Sequence, residues 1–177
     1  MGQAFRNCSI KISDAWPGIE EMNIDYCHDL VELPAELYDL VDMKMHSITN
    51  CHKLSALPEE IGQLENFEVL RLRSCTDLVR LLVSIENLTK LCCLDMYNFF
   101  GIKKLTEGIG NMSGLRKINM GQCSRLEEFP LSVWDLHEQL EEVICDEEKE
   151  HLWESFLARD KIKVAKEKTN LNWLEKP

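Results

Sequence analysis

A possible nucleophile, acid and base lie close together near the end of the chain. Cys145, Asp146 and His151 are the residue types of a cysteine hydrolase, in which an acid orients a histidine that deprotonates the thiol. Such a thiol needs a lowered pKa. Cys145, however, falls in a column of core residues, where thiols are inert. We therefore predict that the chain is not an enzyme, and a thiol enzyme using Cys145 and His151 is kept as an alternative.

Patterns that bind metals or cofactors are missing from the sequence. No C-x-x-C occurs, and the adjacent Cys92 and Cys93 would point to opposite faces of a strand. The Cys-His pairs that begin at Cys27 and Cys51 have the same geometry. Neither G-x-x-x-x-G-K-[ST] nor G-x-G-x-x-G is present. We predict no metal site, no nucleotide site and no cofactor.

Residues suited to protein binding occur at alternate positions of short segments. Arg71 and Arg73 lie 24 residues before Asp95 and Tyr97, and Arg with Tyr is enriched at binding hot spots. A parallel sheet would present these positions on a concave face. We predict partner binding on that face by Asn23, Asp25, Arg71, Arg73, Asp95, Tyr97 and Asn119. The alternative is that these side chains are only solvated.

The spacing of these residues follows an internal repeat. Cys27, Cys51, Cys75 and Cys123 are separated by 24, 24 and 48 residues, and Phe99 occupies the skipped position. Seven apolar columns keep the same step, which gives L-x-x-L-x-L-x-x-C-x-x-L-x-x-L-P-x-x-I-x-x-L five times. Leucine-rich repeats have periods of about 20 to 29 residues. The pattern predicts an α/β fold: a right-handed leucine-rich-repeat solenoid with a parallel concave sheet and a C-terminal cap.

In such a stack, each apolar column becomes a buried ladder. The L-x-L alternation places both leucines on one face of a strand, and strands stack about 4.8 Å apart. Thiols one rung apart exceed the roughly 3.5 to 4.5 Å between Cβ atoms in a disulfide, so we predict reduced cysteines. His46 replaces a leucine, and we predict a hydrogen-bonded core histidine there.

Three segments are predicted along the chain. Residues 1–18 form a partial N-terminal repeat, with Ile10 and Ile12 as its strand, and residues 19–139 form five 24-residue repeats. Residues 140–177 form a final strand, a helix and the C-terminal cap. The incomplete start suggests that the chain is the C-terminal part of a longer protein.

Departures from the pattern occur late in the chain. Leu82 and Thr106 replace the proline of other repeats, which together with Phe99 predicts a local change of curvature. A one-residue insertion precedes the sixth strand. The segment EEKEHLWESFLARD is predicted to be a helix capped by Asp146, KIKVAK an edge strand, and NLNWL a tail that folds Trp173 over the last repeat.

Charge narrows the range of partners. The chain has 20 Lys and Arg against 31 Asp and Glu, a formal charge of −11, which repels phosphate backbones and anionic lipids. No secretory signal or membrane-spanning run is present. We predict protein partners, with no nucleic acid and no direct membrane insertion.

Several phrases resemble a known family. NIDYCHDLVELP, CSRLEEFPLSVWDL, VICDEEKEHLWE and NLNWL are similar to the C-terminal repeats of plant nucleotide-binding leucine-rich-repeat (NLR) disease-resistance proteins, of the helper class with a powdery-mildew-resistance-type coiled coil. The resemblance implies a role in defence against pathogens and a cytoplasmic location, with the nucleus as a second compartment. It also implies contact with lipase-like immune adaptor heterodimers or with the receptor's own nucleotide-binding domain. The alternative is a free-standing intracellular scaffold.

Overall fold

Seven parallel strands form one sheet in the computed structural model of the chain, which describes residues 12–165. Spatial order follows chain order, so each strand pairs with its sequence neighbours. The strands are β1 (Glu21–Asp25), β2 (Met45–Thr49), β3 (Val69–Arg73), β4 (Cys93–Asp95), β5 (Lys117–Asn119), β6 (Glu142–Cys145) and β7 (Ile162–Val164).

The register of the sheet reproduces the sequence period. Ile24 pairs with Ile48 and Ile48 pairs with Leu72, so residues 24 apart in the chain are neighbours in space. The same offset continues from β3 through β4 to β5. The predicted leucine-rich-repeat solenoid with a parallel sheet is therefore confirmed. Because the offset is constant, each apolar column of the sequence forms a ladder that is buried over most of its length, with Met22, Ile24 and Leu30 of the first rung only partly buried.

The chain returns between strands through short 3-10 helices, which lie at Ala35–Asp39, Glu59–Gln63, Val83–Asn87, Ile109–Asn111 and Leu131–Leu136. Near the start of each 3-10 helix, the backbone N–H of an apolar residue donates to the carbonyl three residues earlier. Ile61 donates to Pro58 in this way, and Ile85 donates to Leu82. Leu82 has φ −73° and ψ 153°, close to the values at Pro58. The backbone turn thus survives the loss of proline at Leu82.

A left-handed residue ends each of the first five strand segments. Tyr26, Asn50, Ser74, Asn98 and Gln122, again 24 apart, all have φ between 53° and 60°. The backbone N–H of each of the first four donates to a carbonyl of the next rung. This conformation directs the chain out of the strand, and the following residue is buried in four of the five turns; the exception is the exposed Cys27. The turn recurs without a single glycine.

The insertion before β6 shifts the register by one residue. Ile118 pairs with Val143, an offset of 25, as the apolar pattern predicts. The extra residue is accommodated after the fifth 3-10 helix, where the N–H of Leu140 donates to the carbonyl of Leu136. At the left-handed residue of this rung, Gln122, the backbone N–H donates to a side chain of the next rung in place of a carbonyl. The acceptor is Oδ1 of Asp146, 2.8 Å from the Gln122 nitrogen.

The final helix is shorter than predicted. A 3-10 turn at Glu147–Lys149 leads into α2 (Glu150–Glu154), and a further 3-10 turn occupies Arg159–Lys161. Asp146 occupies the N-cap position but makes no capping hydrogen bond; its Oδ1 accepts from Gln122 instead. The predicted edge strand is present as β7, parallel to β6. Trp173 lies outside the described residues.

The terminal rung buries an aromatic cluster. Trp153 is fully buried, with ring centroids 4.5 Å from Phe129 and 5.2 Å from Phe156. Trp134 packs on the outer side of Phe156 at 5.5 Å. These rings lie against the apolar core of the last repeats and close it at the C-terminal end.

At the other end, α1 (Ile12–Ala15) precedes β1. Ile12 is therefore helical and not part of a strand, which corrects the prediction for this residue; its proposed strand partner Ile10 lies outside the described residues. The side chain of Ile12 packs on the core instead. None of the helices within residues 12–165 combines the length and apolar character needed to span a bilayer.

Candidate binding surface

An open groove crosses the sheet face that points away from the core, over β1 to β4. Its volume is about 460 Å³. We call it the β1–β4 groove, and its lining residues are Asn23, Ile24, Asp25, Tyr26, Ser47, Thr49, Asn50, Arg71, Arg73, Ser74 and Tyr97. Five of the seven residues predicted to bind a partner are among them: Asn23, Asp25, Arg71, Arg73 and Tyr97.

Asp95, the sixth predicted residue, lies beneath the groove wall. Its side chain is 0% exposed and its Oδ2 accepts from Arg73 Nε at 2.6 Å. A second guanidinium nitrogen of Arg73 lies 2.5 Å from the same oxygen, and Arg71 Nε lies 3.8 Å away. Burial raises the pKa of Asp95, and the two guanidiniums oppose that rise. Asp95 therefore holds the arginines in place and is not itself available to a partner.

Tyr97 is held from three sides. Its backbone N–H donates to Asp95 Oδ1 at 3.2 Å, and the Arg73 guanidinium carbon lies 5.9 Å from its ring centroid. The ring also lies against Gly121, where an added Cβ would stand 3.1 Å from Tyr97 Cδ2. A glycine at this position lets the tyrosine ring lie close to the neighbouring rung.

The opposite end of the groove is acidic. Asp25 Oδ1 accepts hydrogen bonds from Thr49 Oγ1 and, at 3.1 Å, from Asn50 Nδ2. These two side chains, with the hydrogen bond to Thr49 the larger cause, lower the pKa of Asp25. The carboxylate is therefore ionised at neutral pH.

Asn119, the seventh predicted residue, is not part of the groove. It is 3% exposed, and its Oδ1 accepts from the backbone N–H of Gly121 at 3.1 Å. Sequence reasoning in turn missed Asn50 and Ser74, which line the groove. Both occupy the left-handed position before the core cysteine, and that column of mostly polar residues was the available signal.

The possible nucleophile near the end of the chain is a core residue. Cys145 is buried, and burial raises the pKa of its thiol to about 12. A nucleophilic thiol requires the opposite shift. Asp146 binds the backbone of Gln122 and His151 is exposed. Desolvation of Cys145 therefore disfavours the cysteine-hydrolase alternative.

Several of the other cysteines donate their thiols to backbone carbonyls. All seven within residues 12–165 are free thiols. Cys75 Sγ lies 3.5 Å from the carbonyl of Ile48, and Cys123 Sγ lies 3.1 Å from that of Met96, both 27 residues earlier. Residues 12–165 contain no group of three or more His, Cys, Asp or Glu side chains placed to hold a metal ion.

Comparison with known proteins finds similarity in sequence to a curated plant protein. A probable disease resistance protein of Arabidopsis thaliana is 41% identical over 167 residues. The alignment covers 93% of this chain, which spans only 40% of the length of that relative. No family model matches the chain.

Solved structures are similar in fold. A leucine-rich-repeat protein of Leptospira interrogans superposes with a TM-score of 0.58 at 19% identity, over 83% of this chain and 36% of that one. The leucine-rich-repeat domain of the type III effector XopL gives 0.55 at 21%, over 83% and 69%. At such low identity these similarities establish only the fold.

Proposed function

We propose that this chain is a non-catalytic protein-interaction module of a plant intracellular immune receptor of the NLR class, acting in defence against pathogens. The observation that carries the proposal is the 41% identity to a probable disease resistance protein, because it extends over 93% of the chain. Leucine-rich-repeat solenoids generally work by presenting an extended surface to other proteins. A plant immune role follows from combining that fold with that relative.

Binding is assigned to the β1–β4 groove. Its walls combine two arginines, a tyrosine and several amide and hydroxyl groups, which are the residue types that dominate binding hot spots and polar interface contacts. Arg73 and Tyr97 are already ordered by Asp95. Because their positions are set before a partner arrives, little side-chain entropy is lost on binding.

The finer assignment rests on the family resemblance. It places the chain in the helper class with a powdery-mildew-resistance-type coiled coil, in the cytoplasm and the nucleus. Its partners are then lipase-like immune adaptor heterodimers or the nucleotide-binding domain of the same receptor. The formal charge of −11 supports protein partners over nucleic acid or anionic membranes.

The test is direct binding between purified components. The chain is immobilised and exposed separately to a lipase-like adaptor heterodimer and to the receptor's nucleotide-binding domain, and affinities are measured by surface plasmon resonance. We expect one of the two to bind, and R73A/Y97A to weaken it at least tenfold. R80A/R125A, which removes two exposed arginines outside the groove lining, is the matched control and should bind normally.

Two results would contradict the proposal. Absence of binding to both proteins would remove the immune assignment. Equal binding by the R73A/Y97A and R80A/R125A variants would move the contact surface away from the groove.

A further inference from the structure

The β1–β4 groove contains two arginines whose positive charge the neighbouring aspartates neutralise only in part. Arg71 and Arg73 share one buried carboxylate, Asp95. Oδ2 of Asp95 accepts from Arg73, and Oδ1 accepts from the N–H of Tyr97. The hydrogen-bonding capacity of Asp95 is thus directed to Arg73 and Tyr97, and Arg71 is left with a loose contact of 3.8 Å.

Arg71 is the incompletely paired member of this group. Its Nε is buried and has no hydrogen-bond acceptor among residues 12–165. A partner would meet the exposed part of the side chain and not the buried Nε, since the side chain as a whole is 24% exposed and lines the groove. A guanidinium presents parallel N–H donors that fit the two oxygens of a carboxylate.

The remaining carboxylate of the groove is positioned elsewhere. Asp25 lies on β1, two strands or about 9.6 Å across the sheet from β3, and its register partner there is Arg73, so Arg71 lies farther away. Its Oδ1 is already bound to Thr49 and Asn50. The two ends of the groove therefore have opposite charge, with Asp25 at one end and Arg71 toward the other.

We propose that Arg71 is the anchor for an acidic side chain, Asp or Glu, within an extended segment of a partner protein that lies along the β1–β4 groove. This inference rests on the proposed function and adds the chemistry of the partner segment. The uncovered face lies over the strands, where the exposed amide of Asn23 and the amide oxygen of Asn50 match the donors and acceptors of a peptide backbone.

The position of Arg71 favours an internal acidic residue over a free carboxyl terminus. Lining residues lie on both sides of Arg71, with Asp25 on β1 and Tyr97 after β4. A segment that fills the groove must therefore continue past Arg71 in both directions. Nucleic acid is disfavoured, because the acidic chain repels a polyanion far more strongly than a single carboxylate.

The experiment follows the Arg71 Nε–H resonance by NMR in the full ¹⁵N-labelled chain. The probes are the blocked peptide Ac-Ser-Ala-Glu-Ala-Ser-NH2, its Gln counterpart, the peptide Ac-Ser-Ala-Ser with a free carboxyl terminus, and inorganic phosphate. We expect the Glu peptide to shift this resonance and to bind at least tenfold more tightly than the Gln peptide. R71Q should lose this preference, whereas R125Q, a change outside the groove lining, should keep it.

Each of the other outcomes would overturn the inference. These are an unshifted Arg71 resonance with the Glu peptide, equal binding of the Glu and Gln peptides, an unchanged preference in R71Q, and tighter binding of the free-carboxyl peptide or of phosphate. Binding of the adaptor heterodimer and the nucleotide-binding domain is measured on the same R71Q sample. If those proteins bind the wild type and R71Q equally well while the Glu peptide fails to bind the wild type, the immune assignment stands and only the acidic anchor is wrong.

Discussion

At the scale of single residues, one buried column of apolar side chains contains a histidine. His46 replaces a leucine in a core column and is 0% exposed. Its Nδ1 lies 3.4 Å from the hydroxyl of Tyr38, which is also buried. Burial lowers the pKa of His46 to about 4. The histidine is therefore neutral in the folded state across the pH range in which an unfolded chain would protonate it.

His46 should make stability depend on pH. The pKa is about 4 when folded against 6.5 in the unfolded chain, so unfolding takes up a proton between these values and stability falls as pH drops from about 6.5 toward 4. The loss approaches roughly 3 kcal/mol, at about 1.4 kcal/mol per pKa unit. Urea unfolding at pH 7.0 and 5.0 should show a smaller difference in H46L/Y38F than in the wild type.

The exposed His52 provides the control for this prediction. The H52N variant should keep the wild-type pH dependence. An undiminished dependence in H46L/Y38F would show that His46 is not the titrating group.

Removal of the Asp95 carboxylate should lower the free energy of unfolding. D95A leaves the Arg73 guanidinium, which is only 13% exposed, without its acceptor. Breaking a buried pair typically costs about 3 to 5 kcal/mol, and partial exposure of the arginines reduces this to about 2 to 4 kcal/mol. Urea unfolding at neutral pH measures the change. E20A removes the exposed pair with Lys44 and should have little effect; equal losses in both variants would contradict the prediction.

At the scale of elements, every rung repeats the same exit from its strand. The left-handed residue before the cysteine column sends its N–H to the next rung and is never glycine in the five turns concerned. A side chain in this conformation is strained, by about 1 to 2 kcal/mol per residue. The stack retains the strain because, in four of the five turns, the turn places the following side chain inside the core.

Glycine should relieve this strain at an exposed member of the column. Q122G, at φ 60°, is expected to stabilise the chain by about 0.5 to 1 kcal/mol, since the relief exceeds the extra backbone entropy of glycine in the unfolded chain. Q122V should destabilise it, because a branched Cβ crowds the left-handed turn. Thermal unfolding gives both values. S124G, at a nearby exposed position without positive φ, should not stabilise the chain, and a gain there equal to that of Q122G would remove the explanation.

At the scale of the whole molecule, stability comes from stacking between neighbouring rungs. Each rung contacts only the next, so an end rung lacks half of this support. The cluster of Trp153, Phe129 and Phe156 covers the C-terminal end of the core. This cluster should therefore determine how readily the last rungs open.

Removal of the Trp153 ring tests whether the aromatic cluster holds the last rungs closed. W153A should cost about 3 to 5 kcal/mol, as expected for a fully buried aromatic side chain. Hydrogen exchange should show β6 and β7 losing protection before β1 to β4, because opening propagates from the weakened end. W134A, which removes a half-exposed ring of the same cluster, should have a much smaller effect. Uniform loss of protection in W153A would contradict the local role of the cap.

The sequence by itself determined the period, the inward columns and even the 25-residue step before β6, because stacking makes sequence position and spatial position equivalent. It also located the groove through Arg71, Arg73 and Tyr97. Only the tertiary structure decided that Asp95 and Asn119 are buried, since alternation along a strand separates two faces but does not reveal what covers each one. Asp146 was predicted to cap a helix, but its side chain accepts from the backbone N–H of Gln122. That hydrogen bond joins two rungs, so no local sequence pattern could predict it.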